Sequence, residues 1–199
     1  MFDFDKITLY KKYLNTIQKT LDGFFEEQKE YISCHKGCAH CCKRGTYPYT
    51  RVEVDYLLLG LFKLEKNVQQ EVVQRIRELK EQYQNCEDKK NFMHRCPFLG
   101  DDDICTVYEF RGLICRTFGL LNSMDDDRIA MPFCQSLGLN YSKIYDPETK
   151  SFKEDLIKKH GYKTIPKTYD LRFKTLMSED IFVDEKIDFG EIKALLDWL

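Results

Sequence analysis

The chain has 199 residues and a formal net charge of −2 at pH 7, enough length for one substantial core and too balanced a charge to draw it as a whole to nucleic acid. Its 43% hydrophobic and 32% charged residues are those of a soluble globular protein. No apolar run approaches the roughly 20 residues that span a bilayer, and the start at Met1 to Lys6 lacks the basic-then-apolar pattern of a secretion signal, so a cytoplasmic location and no membrane partner are expected.

Ile7, Tyr10, Leu14, Ile17, Leu21 and Phe24 step by three and four, which predicts an amphipathic helix over 5–29 with one face toward the core. The chain then enters Cys34-His-Lys-Gly-Cys38-Ala-His-Cys41-Cys42. A helix would scatter these four thiols over several faces, whereas a tight irregular loop lets them converge on a metal, with Gly37 supplying a positive φ. In a reducing cytosol an odd total of nine clustered cysteines fits ligation better than disulfide pairing. Successive side chains of extended backbone point to opposite sides, so Cys41 and Cys42 are expected to serve two different centres.

Gly45 to Tyr49 reads as extended, because Pro48 disfavours helix at the residue before it. Thr50-Arg-Val-Glu53 has the form of a capping box and opens a helix to about Gly60, whose interior from Val54 to Phe62 is apolar on nearly all sides and therefore reads as buried. A further amphipathic helix over 66–85 carries Val68, Val72, Ile76, Leu79 and Tyr83 on one face. Cys86, at its end, reads as an ordinary partly buried cysteine.

Cys96 to Leu99 and Ile104 to Tyr108 read as two short strands joined by the polar turn Gly100 to Asp103, a hairpin that would bring Cys96 and Cys105 together. The aspartates of that turn, and Asp125 to Asp127, lack the alternating ligands and closing Glu of a calcium loop and read as solvated turns. Glu109 to Cys115 predicts a helical turn, and Arg128 to Phe133 a strand leading to Cys134. Beyond this point there is no cysteine. Asp146 to Thr149 reads as a turn, and Ile192, Leu195, Leu196 and Leu199 predict a final amphipathic helix from about 188.

The expected fold is mainly α with a small irregular, β-hairpin cysteine-rich lobe, its helices packed around a metal-ordered centre. One domain over 1–199 is expected, with a cysteine-cluster core over 34–134 and flanking helical segments at 5–29 and 141–199. Residues 34–49 and 86–134 lack long periodic apolar segments, so metal is expected to order them.

In sequence the thiols form two groups, Cys34, Cys38, Cys41 and Cys42, then Cys96, Cys105, Cys115 and Cys134. Eight thiolates suffice for two tetrathiolate zinc sites, for two iron-sulfur clusters, or for one such site with spare thiols. Either centre needs cations and amide donors beside its sulfurs, and Lys36, Lys43, Arg44, Arg95, Arg111 and Arg116 are placed to supply them. His35, His40 and His94 are alternative ligands or donors to the ligands.

The combined pattern Cys34-x3-Cys38-x2-Cys41-Cys42, Cys96-Pro-Phe-Leu99, Cys105-x2-Tyr108-x2-Arg111 and Cys115-Arg116-x-Phe118 resembles the YkgJ-type cysteine-cluster family, known as CxxCxxCC, a zinc- or iron-chelating domain. The resemblance covers about 34–134. It implies metal ligation by Cys34, Cys38, Cys41, Cys42, Cys96, Cys105, Cys115 and Cys134, with an iron-sulfur cluster preferred over zinc and a structural or redox role. The sequence departs from the pattern twice: the first gap holds three residues, and Gly112 stands where many members have proline, which is expected to loosen a turn.

The cysteine motif is also similar to that of flagellin lysine N-methylases, which raises a protein-modifying enzyme as the alternative; no G-x-G-x-x-G loop accompanies it. The first spacing matches the radical S-adenosylmethionine signature as well, but a long helix precedes it where that family has a strand. A zinc-dependent interaction module is a minor alternative, and a nucleic-acid version of it would need a basic face. The expected partners are a metal ion or cluster and an unspecified protein.

Overall fold

The computed structural model describes residues 2–45, 47–124, 128–178 and 187–199; the turn expected at Asp125 to Asp127 lies outside them. The fold is mainly α with small β elements. In chain order it contains α1 (Phe4–Gln28), β1 (Pro48–Thr50), α2 (Arg51–Phe62), α3 (Lys66–Gln84), α4 (Leu113–Thr117), β2 (Asn122–Ser123), β3 (Ile129–Ala130), β4 (Tyr145–Asp146), β5 (Ser151–Phe152), α5 (Glu154–Lys159), α6 (Phe173–Leu176), β6 (Ile192–Ala194) and α7 (Leu195–Trp198). Among the described residues the strands form three antiparallel pairs, β1 with β6, β2 with β3 and β4 with β5. None of the described helices is long and apolar enough to cross a membrane.

The chain divides into two compact units, one from Met1–Leu14, Lys36–Arg116 and Asp184–Leu199, the other from Asn15–His35 and Thr117–Val183, as far as these residues are described. Both units are built from separated stretches of chain, so no linker composition marks the division.

In the first unit Ile7 and Tyr10 of α1 are buried as their spacing predicts. The capping box at the head of α2 is formed, with the Thr50 amide donating to Glu53 Oε2 at 2.8 Å. Tyr49, Val54, Leu57, Leu61, Val72, Phe98, Val107 and Leu195 make one buried cluster. Phe62 departs from the expected burial, because it closes the helix and stands exposed.

The final helix is also shorter than its periodicity predicts. Ile192 to Ala194 are extended and pair with β1, Tyr49 opposite Lys193, and only Leu195–Trp198 is helical. Pairing with β1 wins those three residues, since a strand edge without a partner leaves backbone groups unpaired. The hairpin around Gly100 to Asp103 is reduced to one antiparallel bridge, Leu99 to Cys105, with the Thr106 amide donating to Phe98 at 2.9 Å. Asp103, in the left-handed region at φ 61°, closes that turn.

In the second unit the ring of Phe24 stacks on Tyr169 at 3.8 Å, and Gln28 donates to the Lys167 carbonyl at 3.0 Å. Tyr31, Leu121, Tyr141, Ile144 and Ile157 form its buried cluster. The turn expected after Asp146 is the tip of the β4–β5 hairpin, where the Asp146 carboxylate accepts from the Glu148 amide at 2.9 Å and the Thr149 hydroxyl at 2.8 Å. The strand expected over 128–133 is shorter, covering only β3, because Pro132 leads into a 3-10 turn at Phe133–Leu137 that carries Cys134.

Candidate metal centre

Thiols from four chain segments meet in the first unit. Cys42 lies in the 3-10 turn Cys41–Lys43, Cys96 and Cys105 flank the bridge of the reduced hairpin, and Cys115 sits on α4. The Cys96 amide donates to the Cys42 carbonyl at 2.7 Å, which ties the first cysteine loop to the hairpin. Every pair among Cys42, Cys96, Cys105 and Cys115 is close enough for the thiolate of one to raise the other. Three of these side chains, Cys96, Cys105 and Cys115, also pack against the buried cluster of the unit.

Several donors are aimed at these sulfurs. The backbone N–H of Phe98 donates to Cys96, and that of Val107 to Cys105, in each case from two residues downstream. Tyr49 Oη lies 3.1 Å from Cys115 Sγ. Burial holds the Tyr49 phenol well above its ordinary range, so its hydroxyl keeps a proton with which it can donate to a thiolate at Cys115. Burial nevertheless wins over these donors at three positions. It raises Cys96 and Cys105 and pushes Cys115 up to about 12. Cys42 moves the other way, because the Cys41 thiol bonds to it and the Arg111 and Arg95 guanidiniums lie nearby.

Cys41 and Cys42 do not diverge as extended neighbours would. The helical turn sets their sulfurs 4.0 Å apart. Gly37 has the expected positive φ, at 86°. Cys41 also feels Cys115, and its own thiol is driven upward, first by its bond to Cys42 and then by burial. Tyr47 Oη donates to the Cys41 carbonyl at 2.6 Å, while the amide of Leu195 reaches the Tyr47 carbonyl and the Trp198 indole reaches the Tyr49 carbonyl, both at 2.9 Å. The β6–α7 segment therefore braces the aromatic pair that touches the cysteines.

Glu53 fastens the other side. Its buried carboxylate accepts from the Leu113 amide at 2.8 Å, from Tyr10 Oη at 3.3 Å and from the Thr50 amide and hydroxyl at 2.8 and 2.9 Å. It thus joins the start of α4, which carries Cys115, to the end of β1, which carries Tyr49. Gly112 does more here than loosen a turn. A Cβ at that position would lie 2.6 Å from the Tyr49 ring and 2.9 Å from Glu53 Oε1, so its bare backbone is what lets both approach.

Of the two candidate arginines, Arg111 acts on Cys42, Cys105 and Cys115 and stacks over the Tyr108 ring at 3.4 Å. Arg116 donates to the carbonyls of Arg111 at 2.9 Å and Glu109 at 2.8 Å, which holds the segment from which Arg111 projects. Arg95 and Lys43 both pair with Asp103. Asp103 is thus an anchor for two cations beside Cys42 as well as a turn residue.

Cys34 and Cys134 belong to the second unit, where both raise the buried Tyr141 phenol. Asn140 Nδ2 donates to Cys34 Sγ at 3.4 Å, while Asn140 Oδ1 accepts from the Ser33 amide at 2.8 Å. Cys38 and Cys86 are both half-buried, and Cys86 lies just past α3. His35 Nδ1 contacts the Ser33 carbonyl, and His94 Nδ1 the Arg95 carbonyl at 2.9 Å, leaving His94 Nε2 buried and without a hydrogen-bond partner. Among the described residues no three Cys, His, Asp or Glu side chains close on a single point at ion-binding distance.

Sequence reasoning missed Tyr49, Glu53 and Asn140. The capping box marks Glu53 as a helix-start residue, but its bonds to Leu113 and Tyr10 have no local signal.

A family model described as "CxxCxxCC: Putative zinc- or iron-chelating domain" matches residues 33–135, just over half of the chain. No curated protein and no solved structure matches. The donor set described above is chemically suited to such a metal: thiols, amide and phenol donors directed at sulfur, and guanidiniums to balance thiolate charge.

Proposed function

The chain belongs to the CxxCxxCC family of zinc- or iron-chelating domains, and from that premise we propose that it binds its metal through Cys42, Cys96, Cys105 and Cys115. The observation that carries this reading is the mutual proximity of those four thiols, drawn from four segments of one unit. Cys34 and Cys134, with Asn140 donating to sulfur, are further donors in the second unit, and Cys38 and Cys41 complete the ligand set that the family pattern implies.

We favour an iron-sulfur cluster as occupant. The preference rests on the resemblance of the motif pattern, since four thiols with amide, phenol and guanidinium neighbours suit a cluster and a zinc ion alike. When bound, that cluster would supply redox chemistry or a structural tie. The chain's own residues would orient the sulfurs (Tyr49, Glu53), offset their charge (Arg111, Arg95) and exclude water through the packed core. Anaerobic purification with metal and sulfide analysis and a visible spectrum tests this. Iron with acid-labile sulfide and a brown colour supports the cluster. Stoichiometric zinc in a colourless protein replaces it with a tetrathiolate ion, and a metal-free protein that takes up neither metal refutes the site.

A further inference from the structure

We propose that Phe2, Phe4 and Phe62 of the first unit form a docking face for a second copy of this chain, met about a two-fold axis. Phe4 and Phe62 are 62% and 60% exposed, and Phe2 joins them edge-on, its ring centre 6.2 Å from that of Phe4 and 5.7 Å from that of Phe62. Single exposed phenylalanines are ordinary, but three rings in mutual contact make a contiguous apolar patch, which marks an interaction site. The backbone that presents them is fixed on both sides. At the head of α1 the Asp3 carboxylate accepts from the Lys6 amide at 3.0 Å, and the Thr8 hydroxyl donates to the Phe4 carbonyl at 2.8 Å. At the end of α2 Gln69 Nε2 donates to the carbonyls of Phe62 and Leu64 at 3.2 and 2.7 Å. Rings on an ordered backbone cost less entropy to dock.

The charges around the patch select its occupant. Asp3 and Asp5 flank Phe4, whereas Lys63 follows Phe62 and Lys66 opens α3. On the acidic side Lys6 is taken by Asp188 at 3.1 Å, and on the basic side Glu65 offsets one lysine. Asp5 and Lys66 have no ion pair among the described residues. A membrane surface would favour a rim of cations alone, and a strongly acidic or basic protein a rim of one sign. A rim acidic at one end and basic at the other is complementary to itself when turned about a two-fold, so that Asp5 of each copy meets Lys66 of the other. The two exposed rings each offer roughly 100–150 Å². With Phe2 and the rim, the two copies together bury on the order of 1,000 Å², the size of a weak, reversible interface.

Sedimentation velocity of the 199-residue chain tests this, with the protein purified anaerobically and kept in reductant so that thiol oxidation contributes no dimer. Between about 1 μM and about 1 mM, the span of weak association, the average mass should rise from the 23.7 kDa of one chain toward twice that. Phe4→Ser and Phe62→Ser should each weaken association about tenfold or more, with unchanged circular dichroism. Asp5→Lys and Lys66→Glu should each stay monomeric alone, because both rim contacts then join like charges. An equimolar mixture of those two variants should dimerise, because both contacts are again between opposite charges. A chain that keeps the mass of one copy throughout overturns the proposal. A dimer that survives both phenylalanine variants also overturns it, since the contact then lies on another face, as does a mixture of the charge variants that associates no more than either alone.

Discussion

Replacing Glu53 by Gln removes one acceptor from a buried knot without changing its size. The carboxylate offers Oε1 to the Leu113 amide and Tyr10, and Oε2 to the Thr50 amide and hydroxyl. Gln has one oxygen and one NH2. Whichever way the amide turns, one backbone N–H, that of Leu113 or of Thr50, faces another donor in a fully buried site. An unsatisfied buried donor costs about 1–3 kcal/mol. For a chain of this length each kcal/mol lowers Tm by roughly 2–4 °C, so thermal unfolding followed by circular dichroism should fall by roughly 2–12 °C.

The pH dependence of that loss is a second readout. Burial raises Glu53 against the opposing hydrogen bonds. Between the ordinary Glu value of about 4.3 and its higher folded value, the native state holds the proton that the unfolded state has lost. Stability from this group is therefore complete below about pH 4.3 and declines as pH rises through the folded value. The deficit of Glu53→Gln should accordingly be largest in acid and shrink toward neutral pH. An unchanged Tm, or a deficit that grows as pH rises, would refute the reasoning.

Cys→Ser at Cys96, Cys105 or Cys115 should lower bound metal, whereas Cys86→Ser should leave it unchanged; metal analysis of the purified variants decides. Arg111→Ala should weaken metal binding by about 10 to 100 fold, the usual range for groups that support ligands, while Arg77→Ala on exposed α3 should not, as read by chelator competition. Because Cys96, Cys105 and Cys115 are raised, metal uptake at pH 7 should release about three protons or more, and affinity should fall steeply in acid; calorimetry in buffers of different ionisation heat measures it. In metal-free protein the amides of Thr106 and Leu113 should stay protected from hydrogen exchange, and those of Lys43 and Arg44 should lose protection.

The helical scaffold was legible because periodicity and capping are local. α1, α2 and α3 fall within a residue or two of the ranges their apolar spacing predicts. What failed was decided by partners far away in sequence. Ile192 to Ala194 keep a helical spacing yet pair with β1, and sequence order alone does not show which of the adjacent Cys41 and Cys42 faces Cys96, Cys105 and Cys115. The type of residue at the site was legible and its neighbours were not. Nothing in Gly45 to Tyr49 announces that Tyr49 will bond to a sulfur, since that contact spans 66 residues.

The buried state of the thiols also changes what metal contributes to folding. The absence of long apolar segments over 86–134 led to the expectation that metal orders that stretch. Yet Phe98, Leu99, Val107 and Leu113 are each at most 2% exposed. Side chains buried to that degree contribute about 1.5–3 kcal/mol apiece, and Arg75 adds a bond from α3 to the Leu99 carbonyl at 2.6 Å. Short turns can bury apolar side chains as well as helices do, provided that their backbone groups find partners, and here Thr106 and Leu113 do. A protonated thiol behaves as a small apolar group. With their thiols raised, Cys96, Cys105 and Cys115 can therefore serve as one more layer of the core in the absence of metal, without the repulsion of four adjacent charges. The first cysteine loop lacks that support, since Cys34 to Gly37 are exposed and Cys38 is only half-buried. On the proposed four-thiol reading, the binding energy spent on order is concentrated at the loop that delivers Cys42, and the rest goes into affinity.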